Sequence, residues 1–445
     1  MVRRVLDWHD ELEDWLEPFL TRLGHKAQRR MCPLYIAGLI GPGDRKSVQP
    51  MAERLVPGDY DQLHHFIAAG LWDAAPLEAE LLMQADRLVG GPDAVLVIDD
   101  TALPKQGSHS VGVAPQYASA LGKTANCQTL VSVTLASGEV PVMVGLQLFL
   151  PESWTSDAVR METAQVPVDR QAFRSKPEIA IDEIDRMRAA GVHFGCVLAD
   201  AGYGKSASFR HALSERGLQW AVGIPRHQKV YRGDVALSFP VAGRGRPRQR
   251  HIPDSKSISV EAMLAGASWR SVSWRHGTKG RLAARFAAVR VRVADGPTQR
   301  IRDMGGQHMP GDEAWLIGER RSSGECKYYL SNLPIDTPIK ALASTIKARW
   351  VCEQAHQQLK EELGLDHFEG RSWHGLHRHA LMAMIAYTFL QHRRLAAEKR
   401  GKKKQWATTT AKLASGAPCH PRAHHALAAA AMPALPKMAQ LGVAR

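Results

Sequence analysis

Residues 94–101 read AVLVIDDT, an unbroken apolar run that ends in two acids and a threonine. Because a strand covered on both faces needs no polar alternation, a run of this kind predicts a buried central strand. A second run, FGCVLADAGYG at 194–204, has the same character and includes Asp200. Between them, residues 128–150 predict a β-hairpin and residues 177–191 predict a helix. This succession predicts a mixed α/β sheet.

The flanks of these strands differ from them in composition. The predicted segments are a helical N-terminal domain (1–90), the first part of the α/β core (91–230), a β-rich and Arg-rich insertion (231–335), the second part of the core (336–395) and a basic, partly mobile tail (396–445). Short helices with basic connectors are typical of a helix-turn-helix-like DNA-binding unit, although a helical subdomain with no DNA role fits the N-terminal pattern nearly as well.

Charge and cysteine usage narrow the class of protein. The 445 residues include 58 Lys and Arg against 44 Asp and Glu, a net charge of +14. This surplus favours a polyanionic partner, nucleic acid first, although a merely basic surface gives the same count. The six cysteines are scattered without a CxxC pair, which fits a reducing cytoplasm and argues against zinc or disulfides. No apolar run reaches membrane-spanning length, so we expect no membrane partner.

Candidate metal ligands follow the buried strands. Asp100 and Asp200 end the two apolar runs, where carboxylates can hold a divalent cation at the edge of a sheet. A lone acid at this place is more often a turn or helix cap. Asp99 competes with Asp100, because neighbours on a strand face opposite ways and only one of them can point at the site.

The third candidate acid, Glu353, lies in a predicted helix over 346–368. Arg349, Glu353 and Lys360 follow at spacings of four and seven residues, so they share a face of the helix. Glu353 can then point at a metal while the two cations reach DNA phosphates. Glu361 and Glu362 compete with Glu353, and an Arg–Glu pair four residues apart is most often a surface ion pair.

Together, these residues resemble a known family. Arg349, Glu353 and Lys360 have the spacing of the DDE transposases of bacterial insertion sequences, in the subgroup marked by Y-(2)-R-(3)-E-(6)-K, although Ile346 stands at the Tyr position. In that family the first Asp directly precedes Thr, so the resemblance points to Asp100. The fold it implies is an RNase H-like catalytic core interrupted by a β-rich insertion, with an N-terminal helical DNA-binding domain.

The resemblance also implies a function. A cut-and-paste transposase would use Asp100, Asp200 and Glu353 as catalytic residues that hold two Mg²⁺ ions, with Mn²⁺ able to substitute. Its partners would be the terminal inverted repeats of its own element, target DNA and a second copy of the chain. Five further residues are candidate DNA contacts: Arg349, Lys360, Lys279, Arg281 and, for stacking on a flipped base, Trp274.

Two other functions fit the same sequence. One is a catalytically silent DNA-binding factor derived from a transposase, and the other is a host nuclease with an RNase H-like fold. Intact acids at all three positions argue against the first. The large insertion and the basic flanks argue against the second.

Overall fold

The computed structural model describes residues 8–118, 121–239, 250–277, 280–301 and 304–414, the last fourteen of them by backbone only. Its architecture is mixed α/β, as the sequence predicts. The strands are β1 (Val95–Pro104), β2 (Ala114–Ala118), β3 (Lys123–Ser137), β4 (Val140–Phe149), β5 (Cys196–Ala199), β6 (Trp220–Ile224), β7 (Lys229–Arg232), β8 (Leu237–Ser238), β9 (Ile252–Pro253), β10 (Ile258–Ser259), β11 (Arg270–Gly277), β12 (Gly280–Ile301), β13 (Gly305–Arg320) and β14 (Cys326–Ser331).

The helices lie before, between and after these strands. They are α1 (Trp8–Leu20), α2 (Lys26–Ile40), α3 (Val48–Leu55), α4 (Tyr60–His64), α5 (Ala75–Val89), α6 (Glu152–Thr155), α7 (Ala158–Thr163), α8 (Lys176–Ala189), α9 (Ala201–Gly204), α10 (Ala207–Glu215), α11 (Val260–Met263), α12 (Ile339–Ala348), α13 (Trp350–Glu361) and α14 (Trp373–Ala414). None of the helices in the described part of the chain is both long and apolar enough to span a membrane.

Twelve strands form one sheet, in which β1 lies between β3 and β5. β3 pairs with β1 antiparallel, β4 pairs with the far side of β3, and β5 and β6 follow β1 in parallel. This arrangement is consistent with an RNase H-like core. The strands of the predicted insertion continue the same sheet, because β14 pairs antiparallel with β6. The insertion is thus bonded directly to the core.

The N-terminal helices share a hydrophobic core with the end of the described chain. Leu16, Phe19 and Tyr35 are buried in the same cluster as Leu359 of α13 and Phe389 of α14. On the other side of the sheet, apolar residues of β1, β3 and β5 pack against α8. On the opposite face, Val97 of β1 is buried with Ile346 of α12 and Val351 of α13. β1 is therefore covered on both faces, which explains its continuous apolar run.

Two boundaries differ from the sequence prediction. The single helix predicted over 346–368 is interrupted at Arg349, which is the C-cap of α12 and the N-cap of α13. α13 then ends at Glu361. In addition, α14 continues through the basic stretch that the sequence assigns to a tail. The remainder of that tail, 415–445, lies outside the described residues.

Candidate active site

β1 presents its two neighbouring acids on opposite faces of the sheet. Asp99 lies opposite Ser132 of β3, and Ser132 contacts His356 of α13, with 2.8 Å between Oγ and Nε2. Because side chains alternate along a strand, Asp100 lies on the other face, where α8 packs. Asp99 is therefore the acid that faces the helix of Glu353.

Asp200 lies beside Asp99. The parallel register pairs Ile98 of β1 with Ala199 of β5, so the next positions along the two strands are neighbours. The Oδ1 atom of Asp200 accepts hydrogen bonds from the backbone N–H groups of Gly202 at 2.8 Å and Tyr203 at 3.3 Å. Asp200 is thus the N-cap of the short helix α9 as well as a candidate ligand, and no described residue donates a hydrogen bond to its Oδ2.

Close packing holds the Asp200 turn against the sheet. A Cβ atom at Gly204 would lie 2.0 Å from the carbonyl oxygen of Gly223 in β6, and a Cβ at Gly223 would lie 2.8 Å from the backbone nitrogen of Ala201. Any side chain at 204 or 223 would therefore force α9 away from β6. The two glycines fix the distance of Asp200 from the central strands.

Arg349 joins the acids of two elements. Its Nη1 donates to Oδ2 of Asp99 at 2.5 Å, and its Nη2 donates to Oε1 of Glu353 at 2.5 Å. The Cys352 thiol donates to the same Oδ2 at 3.1 Å. We call Asp99, Asp200, Glu353 and Arg349 the acidic site. It lies at the junction of α12 and α13.

Charge accumulates in the acidic site. Burial raises the pKa of Asp200, and the nearby Asp99 raises it further, while Arg349 lowers it. Burial by itself would lower the pKa of Arg349. The nearby negative charges, of which Asp99 has the largest effect, raise this pKa above its usual value. Three carboxylates and one guanidinium leave a net negative charge, which favours entry of cations.

A buried histidine connects α13 to β3 and β1. Ser132 Oγ donates to the carbonyl oxygen of Asp99 at 3.0 Å, so the His356 ring must donate from Nε2 to Ser132 Oγ. Burial lowers the pKa of His356 to about 4, which keeps the ring neutral. This chain of hydrogen bonds fixes the height of α13 above Asp99.

Two lysines continue from the acidic site along the same face of the sheet. Lys360 is half-buried, and no described residue forms a hydrogen bond or an ion pair with its Nζ. Lys105, at the end of β1, donates to the carbonyl oxygens of Asp366 at 3.2 Å and Phe368 at 2.6 Å. Burial lowers the pKa of both lysines, and Asp366 opposes that shift in each case.

Two comparisons with known proteins bear on the family of this chain. A sequence profile of the DDE superfamily endonucleases matches residues 18–281, which is more than half of the chain. The chain belongs to this superfamily. The probable transposase for insertion sequence element IS701 of Microchaete diplosiphon is 31% identical over 194 residues, 43% of this chain. The match covers 48% of that relative, so the chain spans about half the length of the relative it matches.

The acidic site fits the divalent metal ions that DDE enzymes generally use. Its donors are carboxylate oxygens, which hard cations such as Mg²⁺ prefer. The positively charged guanidinium of Arg349 lies between Asp99 and Glu353 and forms an ion pair with each. Among the described residues, no group of three His, Cys, Asp or Glu side chains forms a ready metal cage. Asp99 and Glu353 are instead held by Arg349.

The structure brings together only some of the residues predicted from sequence. Arg349 contacts Glu353, and Asp200 lies beside Asp99 in the strand register. Asp100 lies on the opposite face, where it contacts Lys176 and Tyr203. The choice of Asp100 over Asp99 as first carboxylate stays a prediction, and the geometry favours Asp99.

The predicted DNA contacts of the insertion have different environments. Arg281 is exposed on the β11–β12 hairpin, opposite His276. Trp274 is partly buried against Phe286, and the Nζ atom of Lys347 lies 4.8 Å from its ring centre. Stacking on a base would require Trp274 to leave these partners. Lys279 lies outside the described residues.

Sequence reasoning missed several residues around the acidic site. Cys352, Ser132 and Tyr203 contact it directly, His356 reaches it through Ser132, and Lys176 contacts Asp100 on the opposite face. Tyr203 carries one signal that could have found it, because it stands three residues after Asp200 and so returns to the same side of a helical turn. The contacts of the other missed residues depend on strand register and on how helices pack across the sheet, which the sequence pattern does not show.

Proposed function

We propose that this DDE superfamily protein is a cut-and-paste DNA transposase of an insertion sequence. It cleaves DNA and transfers strands at the element's terminal inverted repeats, with Asp99, Asp200 and Glu353 as its catalytic carboxylates. The observation that carries the proposal is the joint contact of Arg349 with Asp99 and Glu353, beside Asp200 in the strand register. The partial similarity to a probable IS701 transposase supports the biological role.

In this proposal, Asp99 replaces the Asp100 expected from the resemblance. Both oxygens of Asp100 already have donors on the far face, whereas Asp99 shares its partner with Glu353. The three carboxylates would hold two Mg²⁺ ions, with Mn²⁺ able to substitute. When bound, the ions activate a water or a 3′-hydroxyl and stabilise the leaving oxygen of an in-line phosphoryl transfer.

The remaining residues act on the DNA and on the carboxylates. Arg349 balances the charge of Asp99 and Glu353 before metal enters, and then turns to the phosphate backbone with Lys360. Arg281 contacts phosphates farther along the duplex, whereas we assign Trp274 to the core. The N-terminal helices bind the inverted repeats, and two copies of the chain bring the two ends together.

The chemistry follows from one repeated exchange. A water oxygen attacks the scissile phosphorus, the bond to the 3′-oxygen breaks, and that oxygen leaves as a 3′-hydroxyl. The same hydroxyl then attacks a phosphate of the second strand or of the target. Because each step exchanges one oxygen for another at phosphorus, one set of carboxylates serves all of them.

Purified protein with Mg²⁺ and a DNA fragment bearing the element's ends tests the proposal. We expect Asp99→Asn, Asp200→Asn and Glu353→Gln each to abolish cleavage and strand transfer. Glu361→Gln is the matched control, since Glu361 is exposed on the same helix and contacts only Gln357 among the described residues. Strand transfer by Glu353→Gln would refute the site.

The same assay separates the two alternative functions. Binding of the ends without any cleavage by the unaltered protein would favour the silent DNA-binding factor. Cleavage with no preference for the element's ends and no joined products would favour the nuclease.

A further inference from the structure

The second acid of the β1 pair has a set of contacts of its own. Asp100 accepts a hydrogen bond at Oδ1 from the Tyr203 hydroxyl, and its Oδ2 lies 2.6 Å from Nζ of Lys176. The side chains of Asp100 and Lys176 are 28% and 29% exposed, so the ion pair is largely shielded from water. Each oxygen of Asp100 is therefore committed to a protein donor.

Tyr203 links Asp100 to the turn that carries Asp200. The backbone N–H of Tyr203 donates to Asp200, while its hydroxyl donates to Asp100. The ring is buried beside Phe209, with 5.8 Å between ring centres. Because the oxygens of a carboxylate only accept hydrogen bonds, the Tyr203 hydroxyl is the donor in this pair.

Lys176 fixes the same carboxylate from the opposite side. It is the first residue of α8, where Ser175 and Glu178 form a reciprocal cap. The cap holds the start of α8 in place, and its Lys176 side chain also lies over the Phe149 ring, 5.4 Å from the centre. Asp100 is thus held between α8 and α9, two helices on the face of β1 that lies away from Glu353.

We propose that Asp100 is a positioning residue, not a metal ligand. Through Tyr203 it holds the Asp200 turn at a fixed place relative to β1, which keeps the Asp200 carboxylate beside Asp99. This role rests on the proposed function, since it assumes that Asp99 and Asp200 are the ligands. It gives the two neighbouring acids separate tasks on the two faces of one strand.

Substitutions that separate the charge of Asp100 from its hydrogen bond to Tyr203 test this role. Asp100→Asn keeps an acceptor for the Tyr203 hydroxyl but removes the charge, whereas Asp100→Ala removes both. We expect Asp100→Ala and Tyr203→Phe each to lower DNA cleavage by roughly 10- to 100-fold, the usual effect of losing a residue that orients a ligand. Asp100→Asn should retain more activity than either.

The two losses should also overlap. Because Asp100 and Tyr203 act through one hydrogen bond, the double variant Asp100→Ala/Tyr203→Phe should cleave about as well as the worse single variant. Raising the Mn²⁺ concentration should restore part of the activity of both single variants, since their ligands are intact but poorly held. It should not restore Asp99→Asn, which lacks a ligand.

Direct measurement of Mn²⁺ binding by calorimetry gives a readout that does not depend on activity. We expect Asp100→Asn to bind Mn²⁺ about as tightly as the unaltered protein, while Asp99→Asn and Asp200→Asn bind it more weakly. Tyr231→Phe is a matched control, because it removes a buried hydroxyl that donates to the His308 carbonyl at 2.6 Å, in the insertion. It should leave Mn²⁺ binding unchanged.

The outcomes separate this inference from the proposed function. If Asp100→Asn loses Mn²⁺ affinity as fully as Asp200→Asn, Asp100 is a ligand and the positioning role is wrong. If Tyr203→Phe cleaves DNA normally at low Mn²⁺, the link to Asp200 is also wrong. If Asp200→Asn and Glu353→Gln both keep cleavage, the proposed site itself fails, whatever Asp100 does.

Discussion

Removing Asp295 should strongly destabilise the protein, because it would leave a buried charge without its partner. Arg210 of α10 and Asp295 of β12 are only 2% and 6% exposed, and Nη2 lies 2.6 Å from Oδ2. Arg210 also donates from Nη1 to the carbonyl oxygen of Gly204. The pair therefore joins the β-rich insertion to the end of the Asp200 turn.

The expected magnitude follows from this burial. Breaking a buried pair by deleting one partner costs about 3–5 kcal/mol, since the remaining charge is uncompensated. That cost lowers the folding equilibrium constant by roughly 10²- to 10⁴-fold. For a chain of 445 residues that unfolds cooperatively, with an unfolding entropy of about 2.1 cal/mol/K per residue, it lowers the melting temperature by roughly 3–5 °C. Calorimetry and urea unfolding of Asp295→Ala measure both quantities.

A surface pair in the same region provides the matched control. Arg232 and Asp234 form an ion pair with 2.9 Å between Nη2 and Oδ2, but their side chains are 70% and 69% exposed. Asp234→Ala should therefore change stability little. The double variant Arg210→Met/Asp295→Leu, which removes both charges, should recover most of the loss. If Asp295→Ala is no less stable than Asp234→Ala, the reasoning about the buried pair is wrong.

Three further predictions concern the DNA contacts, the pH dependence and the Asp200 turn. Lys360→Ala should reduce the slope of log affinity for the end DNA against log salt by about one unit, and an unchanged slope would exclude a phosphate contact. Burial lowers the pKa of His379 to about 4, so its contribution to stability is complete above pH 6.5 and is lost as the pH falls towards 4. Thermal unfolding across this range should show that the free energy of unfolding of His379→Gln falls less steeply with decreasing pH than that of the unaltered protein, by up to about 1.4 kcal/mol per pH unit. An equally steep fall would show that another group takes up the proton. Gly204→Ala should weaken Mn²⁺ binding measured by calorimetry, because its Cβ would collide with the Gly223 carbonyl, whereas Gly266→Ala, with no atom within 4 Å, should not.

The central strands and the helical character of the segment that carries Glu353 could be predicted because local sequence determines them. The apolar run before Asp99 and the run before Asp200 each need burial on both faces, and the structure provides it. The spacing of Arg349 and Glu353 predicted their shared face, and their side chains do meet. These features depend on the spacing of apolar and charged residues along the sequence, which can be read without knowledge of the fold.

The assignment within the Asp99–Asp100 pair could not be made from sequence. Periodicity shows that the two acids face opposite ways, but it does not show which face the Glu353 helix covers. That depends on how a segment some 250 residues later packs across the sheet. The contacts of Asp100 with Lys176 and Tyr203 likewise join three elements whose sequences carry no shared pattern.

The core that the N-terminal helices share with α14 limits how this protein can be divided or recombined. Leu16 and Phe19 near one end of the chain and Phe389 near the other are buried in a single cluster. A fragment that begins at β1 would expose the part of α14 that packs against the N-terminal helices, and a fragment of the first five helices would lack the surface on which it packs. A chimaera that takes its N-terminal helices from a relative would therefore also have to take α14 from that relative, although the two segments are far apart in the sequence.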